Sequence, residues 1–548
     1  MPPLFGKALA SAMAAKNNAP RAGLFGQAKA DGEKQVFSGL AVLRGKGLEA
    51  KVFLAIIAFG LLARAFALVM MPDASMTDSL YHLTLARFII QNHALPFQGI
   101  GGLLRDVPVP LYHFVVAIPF VLLPVQLNLF TARLFPLLFS AVQLLLSFVL
   151  LRRLFPKNWH AGMAFVAVQP LLIFFGALNY VETFSTCFVL LSFIVFKRFS
   201  ETGRMAYLVA MPFVLGGMAL SKETATILAP GFFIMFLYEL WKKRPEKLTL
   251  KWAAEPAYFV VATVLLSTAW FLANYFMIGR PGSIAASGMA SVSELFNGSF
   301  SFGNAFLFPL NFNAAFWNFL SQAFNSGPFG ITPAIAFALF SLVTVPVLAI
   351  MVYGLALGTA KRDRPSVLVL LCSLTAFALL LVTSGKEVYI RVFVPMLPLF
   401  GIPLCNAFGK LEKGKLRNAF LALFALAAIY SAAFTSLYVM HYALDNAGNV
   451  PLYGFISGLP EGSTIVVHPN LFRQVEFITG RDAIAGNLLA GMDAAQIMEA
   501  LGKTNATHVA ISCGRELWSN EIVQQLVEQG FLHEVYRDEC NTLYKIER

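Results

Sequence analysis

The sequence predicts an all-α polytopic membrane protein with about eleven transmembrane helices, followed by a small C-terminal α/β soluble domain. Three observations predict it. Of 548 residues, 58% are hydrophobic, 13% are charged and 53 are Phe, with mean hydropathy +0.69, which is more apolar surface than one soluble core can hide. Apolar runs of about 20 residues, the length that crosses a bilayer, recur along most of the chain. Clusters of Lys and Arg separate alternate runs, as cytoplasmic loops require.

The net charge of +12 excludes little by itself, but its distribution speaks against nucleic acid as a partner. A nucleic-acid surface gathers its cations on one soluble face, whereas here they sit in short clusters between apolar runs. Residues 1–50 are rich in Ala, Gly and Lys and lack an apolar stretch, so they read as a basic, disordered cytoplasmic tail. The region 51–440 carries the spans. The first runs from Val52 to Met71, which places the loop 72–128 outside. Within that loop, Leu83–Ile90 and Leu111–Leu123 are too short or Pro-broken to cross and read as helices at the membrane surface. Further spans are expected at 130–151, 161–178, 183–197, 205–220, 224–241, 253–276, 332–358, 366–383, 392–408 and 418–440. Every loop then assigned to the cytoplasm is basic, among them Arg152–Arg153–Lys157, Lys242–Lys243–Arg244–Lys247 and Lys361–Arg362–Arg364. The opposite loops hold Asp78, Glu182, Glu223, Glu294 and Glu387. The N-terminus is therefore expected in the cytoplasm and the C-terminal domain, 441–548, outside.

In that domain, strands are expected at Ser463–His468 and Thr507–Ser512, helices at Asp493–Leu501 and Glu521–Gln529, and a closing hairpin at Phe531–Tyr536 and Thr542–Ile546. It has no phosphate loop, metal-ligand spacing or nucleophile elbow, so it reads as a cap or recognition domain. Cys513 and Cys540 both fall within it, where an oxidising compartment would allow a bridge.

Charges are rare within the spans, where one near the bilayer centre costs on the order of 3 kcal/mol. They gather at the predicted outer helix ends instead: Arg64 and Asp78, Glu182, Lys222 and Glu223, then Lys386, Glu387 and Arg391. Helices that pack together would converge these groups in one pocket at the outer surface. Asp78, Tyr81 and His82 share a helical face by their spacing of three and four. The structural alternative is that Thr77 caps the helix and Asp78 complements its dipole, that His82 is a packing residue, and that Arg64 snorkels to the interface. Lys386, Glu387 and Arg391 place three charges at the mouth of an apolar helix, which suits a phosphate: Arg grips it by a fork of donors, Lys by a point charge.

The chain resembles the GT-C superfamily of membrane glycosyltransferases that use polyprenyl-phosphate sugars, in particular its protein-mannosyltransferase and aminoarabinose-transferase-like branch. The resemblance lies in Thr77-Asp78-Ser79-Leu80-Tyr81-His82 with Leu85-Ala86, Val109-Pro110-Leu111-Tyr112, Arg133-Leu134 and Arg152-Arg153-Leu154-Phe155. Gly217-Met218-Ala219-Leu220-Ser221-Lys222 and Arg391-Val392-Phe393-Val394-Pro395-Met396-Leu397-Pro398 complete it. It implies a GT-C type fold and makes Asp78 the catalytic or metal-linked carboxylate. Many members carry an Asp-Glu pair where this chain has Asp78-Ser79, with Asp73 or Glu182 as substitutes. Glu182 resembles the acid of the second outer loop in oligosaccharyltransferase-like relatives. A divalent metal, Mg2+ or Mn2+, belongs to some branches and not to others, so no cofactor is fixed.

The implied reaction transfers a sugar from a polyprenyl-phosphate donor in the bilayer to a protein, lipid or glycan acceptor outside. Such a donor has a good leaving group, so the enzyme needs a base, assigned to Asp78, and cations for the developing phosphate charge. Arg64, Tyr81, His82, Glu182, Lys222, Glu223, Lys386, Glu387 and Arg391 are the expected substrate-binding residues. Two alternatives stand beside this reading, a lipid or solute transporter or flippase and a catalytically silent scaffold of the same fold. A transporter would show polar groups at mid-membrane and internal repeats, and no repeat is found.

Overall fold

The computed structural model describes residues 47–70, 77–93, 109–123, 127–242, 250–278, 349–383, 390–411 and 448–547 (except 470, 490 and 513–516), with scattered positions from 414 to 426. The chain forms two compact units, Met1–Ala55 and Ile56–Arg548. Helix α1 spans Leu48–Met70. Then follow α2 (Thr77–Asn92), α3 (Leu111–Leu122), α4 (Leu129–Leu154), α5 (Trp159–Val168), α6 (Pro170–Ala177), α7 (Val181–Thr202) and α8 (Met205–Ser221). A 3-10 turn, Glu223–Leu228, leads into α9 (Ala229–Lys242), then α10 (Leu250–Ile278), α11 (Ala349–Ala360) and α12 (Arg364–Thr383).

Among the described residues, five helical stretches are long and apolar enough to cross a membrane: Glu49–Val69, Thr131–Leu154, Val181–Thr202, Ala225–Lys242 and Ala253–Ala273. These agree with five of the expected spans. The expected span at 161–178 is the pair α5 and α6, bent by 54°. The cause is local: Pro170 has no N–H to donate and holds Gln169 in an extended conformation (ψ 118°). The expected span at 392–408 is likewise not one regular helix. Pro395 and Pro398 wind Ile390–Phe400 as a 3-10 segment before α13, Gly401–Lys410, begins. The expected spans at 332–358 and 418–440 lie largely outside the described residues.

Helix ends follow their sequence. Asn128 caps α4 through a reciprocal pair of bonds with Thr131 (2.9 and 3.1 Å), and α7 stops at Gly203, whose φ of 63° a side chain would resist. At the basic ends of the bundle, Arg153 and Lys197 pair with Glu201, while Arg364 pairs with the buried Glu239 at 3.0 Å. At Gly354 of α11 the backbone runs close to α13, and a Cβ there would collide with the Pro403 carbonyl oxygen.

The C-terminal domain opens with α14, Val450–Ser457, and builds one sheet from β1 (Thr464–Val467), β2 (Asp482–Ala485), β3 (His508–Ser512), β4 (Leu532–Arg537) and β5 (Asn541–Ile546). The strand order is β2-β1-β3-β5-β4, with β2, β1 and β3 parallel and β5 and β4 antiparallel. Helices α15 (Ala494–Gly502) and α16 (Asn520–Glu528) complete it. The expected strands, helices and hairpin are all present. The sequence missed β2, a four-residue edge strand with an exposed Asp482 and no run of β-branched residues. Cys513 lies outside the described residues.

This domain is seated on the membrane part through α2. Phe477, on a π-helical turn at Val475–Thr479, is buried in the cluster formed by Leu80, Leu83, Ala86 and Ile89 of α2 with Tyr112 and Val116 of α3. Arg87 of α2 closes over it, its guanidinium carbon 4.0 Å from the ring centroid and both terminal nitrogens 3.3 Å from the Phe477 carbonyl oxygen.

Candidate functional site

Three helix ends build the site. Glu182 lies in the first turn of α7, where the helix dipole favours an acid, and its side chain is fully buried. Lys222, extended at the end of α8, reaches back to form an ion pair with Glu182 Oε1. The first turn of α7 is further tied by the Thr183 hydroxyl, which donates to the Phe175 carbonyl at 3.1 Å, and by Ser185 and Thr186, which donate to the Glu182 carbonyl at 2.9 and 2.7 Å.

Beside this pair stands an aromatic wall. Tyr112 of α3 is completely buried, and burial together with the Glu182 charge pushes its phenol well above the ordinary range. His82 of α2 stands edge-on to Tyr112 (5.9 Å between centroids) and to Tyr180 (6.4 Å), and its Nδ1 lies 2.9 Å from His113 Nε2. From the C-terminal domain, the buried Arg473 stacks at 5.4 Å over Tyr81 while donating to Glu476 at 2.7 Å. Two polar atoms of this wall are buried with no hydrogen-bond partner among the described residues, Glu182 Oε2 and Tyr112 Oη. A buried polar atom left without a partner costs about 1–3 kcal/mol, so both are suited to a ligand that supplies one.

Of the expected site residues, the structure thus gathers Tyr81, His82, Glu182 and Lys222. Asp78 stands in the first turn of α2, one turn before His82, and its side chain lies outside the described residues. The same holds for the side chains of Glu223, which opens the 3-10 turn after α8, and Arg391, on the 3-10 segment Ile390–Phe400. That segment packs against both α7 and the Glu223–Leu228 turn. Lys386 and Glu387 fall wholly outside the described residues. Arg64 turns inward rather than snorkelling, and binds helix carbonyls. It is fully buried, and its terminal nitrogens donate to the carbonyls of Gly60 (2.8 Å), Ala167 (3.1 Å) and Val166 (3.3 Å). The last two are end carbonyls of α5, which the break at Pro170 leaves without helical partners, and a guanidinium there also meets the negative end of the helix dipole.

Sequence reasoning assigned no role to Tyr112, His113, Tyr180 or Arg473. Tyr112 lay within a recognised motif. His113 had no signal beyond a lone His entering an apolar helix, and Arg473 joins the site only through the docking of a separate domain.

For a divalent metal the described side chains do not assemble a site. No three His, Cys, Asp or Glu converge among them, Glu182 is neutralised by Lys222, and the facing nitrogens of His82 and His113 occupy each other.

Residues 106–271, which include Tyr112, His113, Glu182 and Lys222, match the family model of dolichyl-phosphate-mannose-protein mannosyltransferase. No curated protein matches the chain. Among solved structures it is similar to ArnT from Cupriavidus metallidurans bound to undecaprenyl phosphate, with a TM-score of 0.56 and 12% identity over 91% of this chain and 98% of that one. The apo state of the same protein gives 0.56 and 12% over 89% and 97%. The Archaeoglobus fulgidus oligosaccharyltransferase in its apo form gives 0.53 and 13% over 84% and 69%. At such identities the structural likeness concerns the fold. The GT-C resemblance expected from the sequence is thus found twice, in the family match of residues 106–271 and in a fold shared along most of the chain with ArnT and this oligosaccharyltransferase.

Proposed function

We propose that the protein is a membrane glycosyltransferase that moves a sugar from a polyprenyl-phosphate-linked donor to a protein, lipid or glycan acceptor on the extracytoplasmic side. The observation that carries this reading is the buried Glu182–Lys222 pair beside Tyr112, an acid and a cation kept at helix ends within the segment that matches the mannosyltransferase family. The similarity of the fold to a protein bound to undecaprenyl phosphate supports the donor class. The basic clusters of alternate loops support an N-terminus in the cytoplasm and a C-terminal domain outside.

In the reaction, an acceptor hydroxyl oxygen bonds to the anomeric carbon while the bond from that carbon to the phosphate oxygen breaks, and the electron pair leaves on the phosphate. Asp78 takes the hydroxyl proton. Lys222, with Lys386 and Arg391, holds the growing phosphate charge. Glu182 orients Lys222 through Oε1 and offers Oε2 to a substrate hydroxyl, while Tyr112 offers its phenolic proton. Tyr81 and His82 belong to the aromatic wall beside the pair. Membranes supplied with a polyprenyl-phosphate-linked sugar test the assignment. Asp78→Asn should lower transfer by about 10²-fold or more, the contribution of a positioned base. Transfer that survives this substitution overturns the role of Asp78, and purified protein that transfers nothing from any such donor overturns the reaction.

A further inference from the structure

The transfer chemistry leaves one group of buried polar side chains unused. Ser140, Gln143 and Ser147 of α4 are completely buried, and both hydroxyl oxygens and both polar atoms of the Gln143 amide have no hydrogen-bond partner among the described residues. At 3.6 residues per turn the three lie within about 60° of each other on one face of α4, over roughly 10 Å of its length. That face belongs to a membrane-crossing stretch, Thr131–Leu154, where lipid offers no substitute partner. It is distinct from the candidate site. Phe139, the residue before Ser140, packs on the site side against Tyr112 and Phe184 (6.2 and 4.8 Å between centroids).

Beside this stripe runs the broken span. At Gly176 of α6 a Cβ would collide with Ser140 Oγ and lie 3.3 Å from Arg64 Nε, so these two polar atoms share one small space, and Arg64 Nε has no partner either. Next to Gln143 in the chain, Leu144 reaches α1 and α5: a Cβ at Gly60 would stand 3.2 Å from both Leu144 Cδ1 and Ala167 Cβ. Gly60 and Ala167 are the residues whose carbonyls hold the Arg64 guanidinium, and with Val166 they account for two of the four carbonyls that end α5.

The unused group mixes donors and acceptors. Hydroxyls give and take, the Gln143 amide has two N–H bonds and a carbonyl oxygen, and Arg64 Nε only gives. A matching ligand must both donate and accept, be small enough for a closed interior, and bring no charge that serines and an amide would have to balance. Water meets these conditions, and it is one of the means by which membrane proteins satisfy polar groups at helix breaks. We propose that ordered water molecules occupy the interior of the bundle between α4 and the broken α5–α6 span, bonded to Ser140, Gln143, Ser147 and Arg64 Nε. This hydrated seam does not depend on the transfer reaction. Its hydrogen bonds exchange from water to water, so the bend at Pro170 can adjust without stranding a buried group.

X-ray radiolytic labelling of the full-length protein in lipid nanodiscs tests this. A bound water irradiated in place yields a hydroxyl radical that adds to the nearest side chain, which mass spectrometry then locates. Leu144, completely buried beside Gln143, should be labelled. Phe236, just as buried but stacked at 4.5 Å against Phe199 and at 4.5 Å against Phe259, should not. Gln143→Leu should remove most of the Leu144 label, and Ser147→Ala, which changes little volume, should lower it. The melting curve gives a second reading. In a dry interior Gln143→Leu removes a stranded amide and raises the unfolding midpoint, whereas in a hydrated one it removes a satisfied amide and does not. An unlabelled Leu144, equal labelling of Leu144 and Phe236, a label unchanged in both variants, or a Gln143→Leu protein that melts above the wild type overturns the proposal.

Discussion

Removing Lys222 alone should harm the protein more than removing Lys222 and Glu182 together. Glu182 is fully buried and Lys222 has only 12% of its side chain exposed, so their charges are compensated by each other rather than by water. Lys222→Met strands a carboxylate in a site that already leaves its Oε2 without a partner. Breaking a buried pair in this way costs about 3–5 kcal/mol, whereas replacing both charges with neutral groups of similar volume is often close to neutral. Glu182→Gln combined with Lys222→Met should therefore recover most of the thermal stability that Lys222→Met loses, measured as the unfolding midpoint of the solubilised protein. Transfer activity should not recover, because the double variant lacks the Lys222 ammonium that holds the phosphate together with Lys386 and Arg391. Two results would refute this reasoning: a Lys222→Met variant as stable as the wild type, which would mean that water or another cation already serves Glu182, or a double variant that regains activity together with stability.

The seat of the C-terminal domain gives another test. Phe477→Ala removes a ring buried at 5% exposure among α2 side chains, a change that costs about 3–5 kcal/mol in a core, so protease cleavage of the domain from the membrane part should become faster; unchanged cleavage would argue against the seat. Two glycines should separate by what a methyl group meets. Gly354→Ala drives a Cβ into the Pro403 carbonyl oxygen and should lower stability by about 1–3 kcal/mol, while Gly454→Ala, with nothing within 4 Å on α14, should be neutral or stabilising in the same melting assay. The pH dependence of folding should carry the mark of His113. Its folded pKa of about 4 lies below the unfolded value of about 6.5, so between these values the unfolded chain binds a proton that the folded one refuses. Stability should fall as pH drops through that window, by on the order of 3 kcal/mol, and His113→Gln should remove that part of the slope.

The spans were legible because a bilayer imposes one strong rule on composition and length, and loop charge supplies a second, independent one. The places where reading failed have local causes. Pro170 breaks an apolar run that averages as one span, and Pro395 with Pro398 tightens another into 3-10 geometry, neither of which alters mean hydropathy. In the C-terminal domain the regular alternation of β1, β3 and the hairpin was readable, but β2 is four residues long and borrows its register from β1. Arg64 illustrates the limit of reasoning from position alone. A cation near the predicted outer end of a helix suggests an interface or a phosphate, and only the bend of the next span shows that two carbonyls of α5 are left for it to bind.

The site residues divide along the same line. Asp78, Tyr81 and His82 could be found together because they lie one turn apart on a single helix, and Glu182 and Lys222 because charges are rare in such a sequence. Tyr112 and His113 acquire meaning only when α3 packs against α2, and Arg473 only when the C-terminal domain settles on α2 some 390 residues later in the chain. The family match begins at residue 106 and therefore contains one side of the wall, Tyr112 with Glu182 and Lys222, but not the helix that faces it. Helix α2 is held on that wall by the His82–His113 bond and by the packing of Phe477 of the soluble domain with Arg87. A domain with no catalytic motif of its own thus bears directly on the helix that carries Asp78. Its placement, rather than any chemistry of its sheet, is what a cap must supply to keep α2 aligned with the ends of α7 and α8.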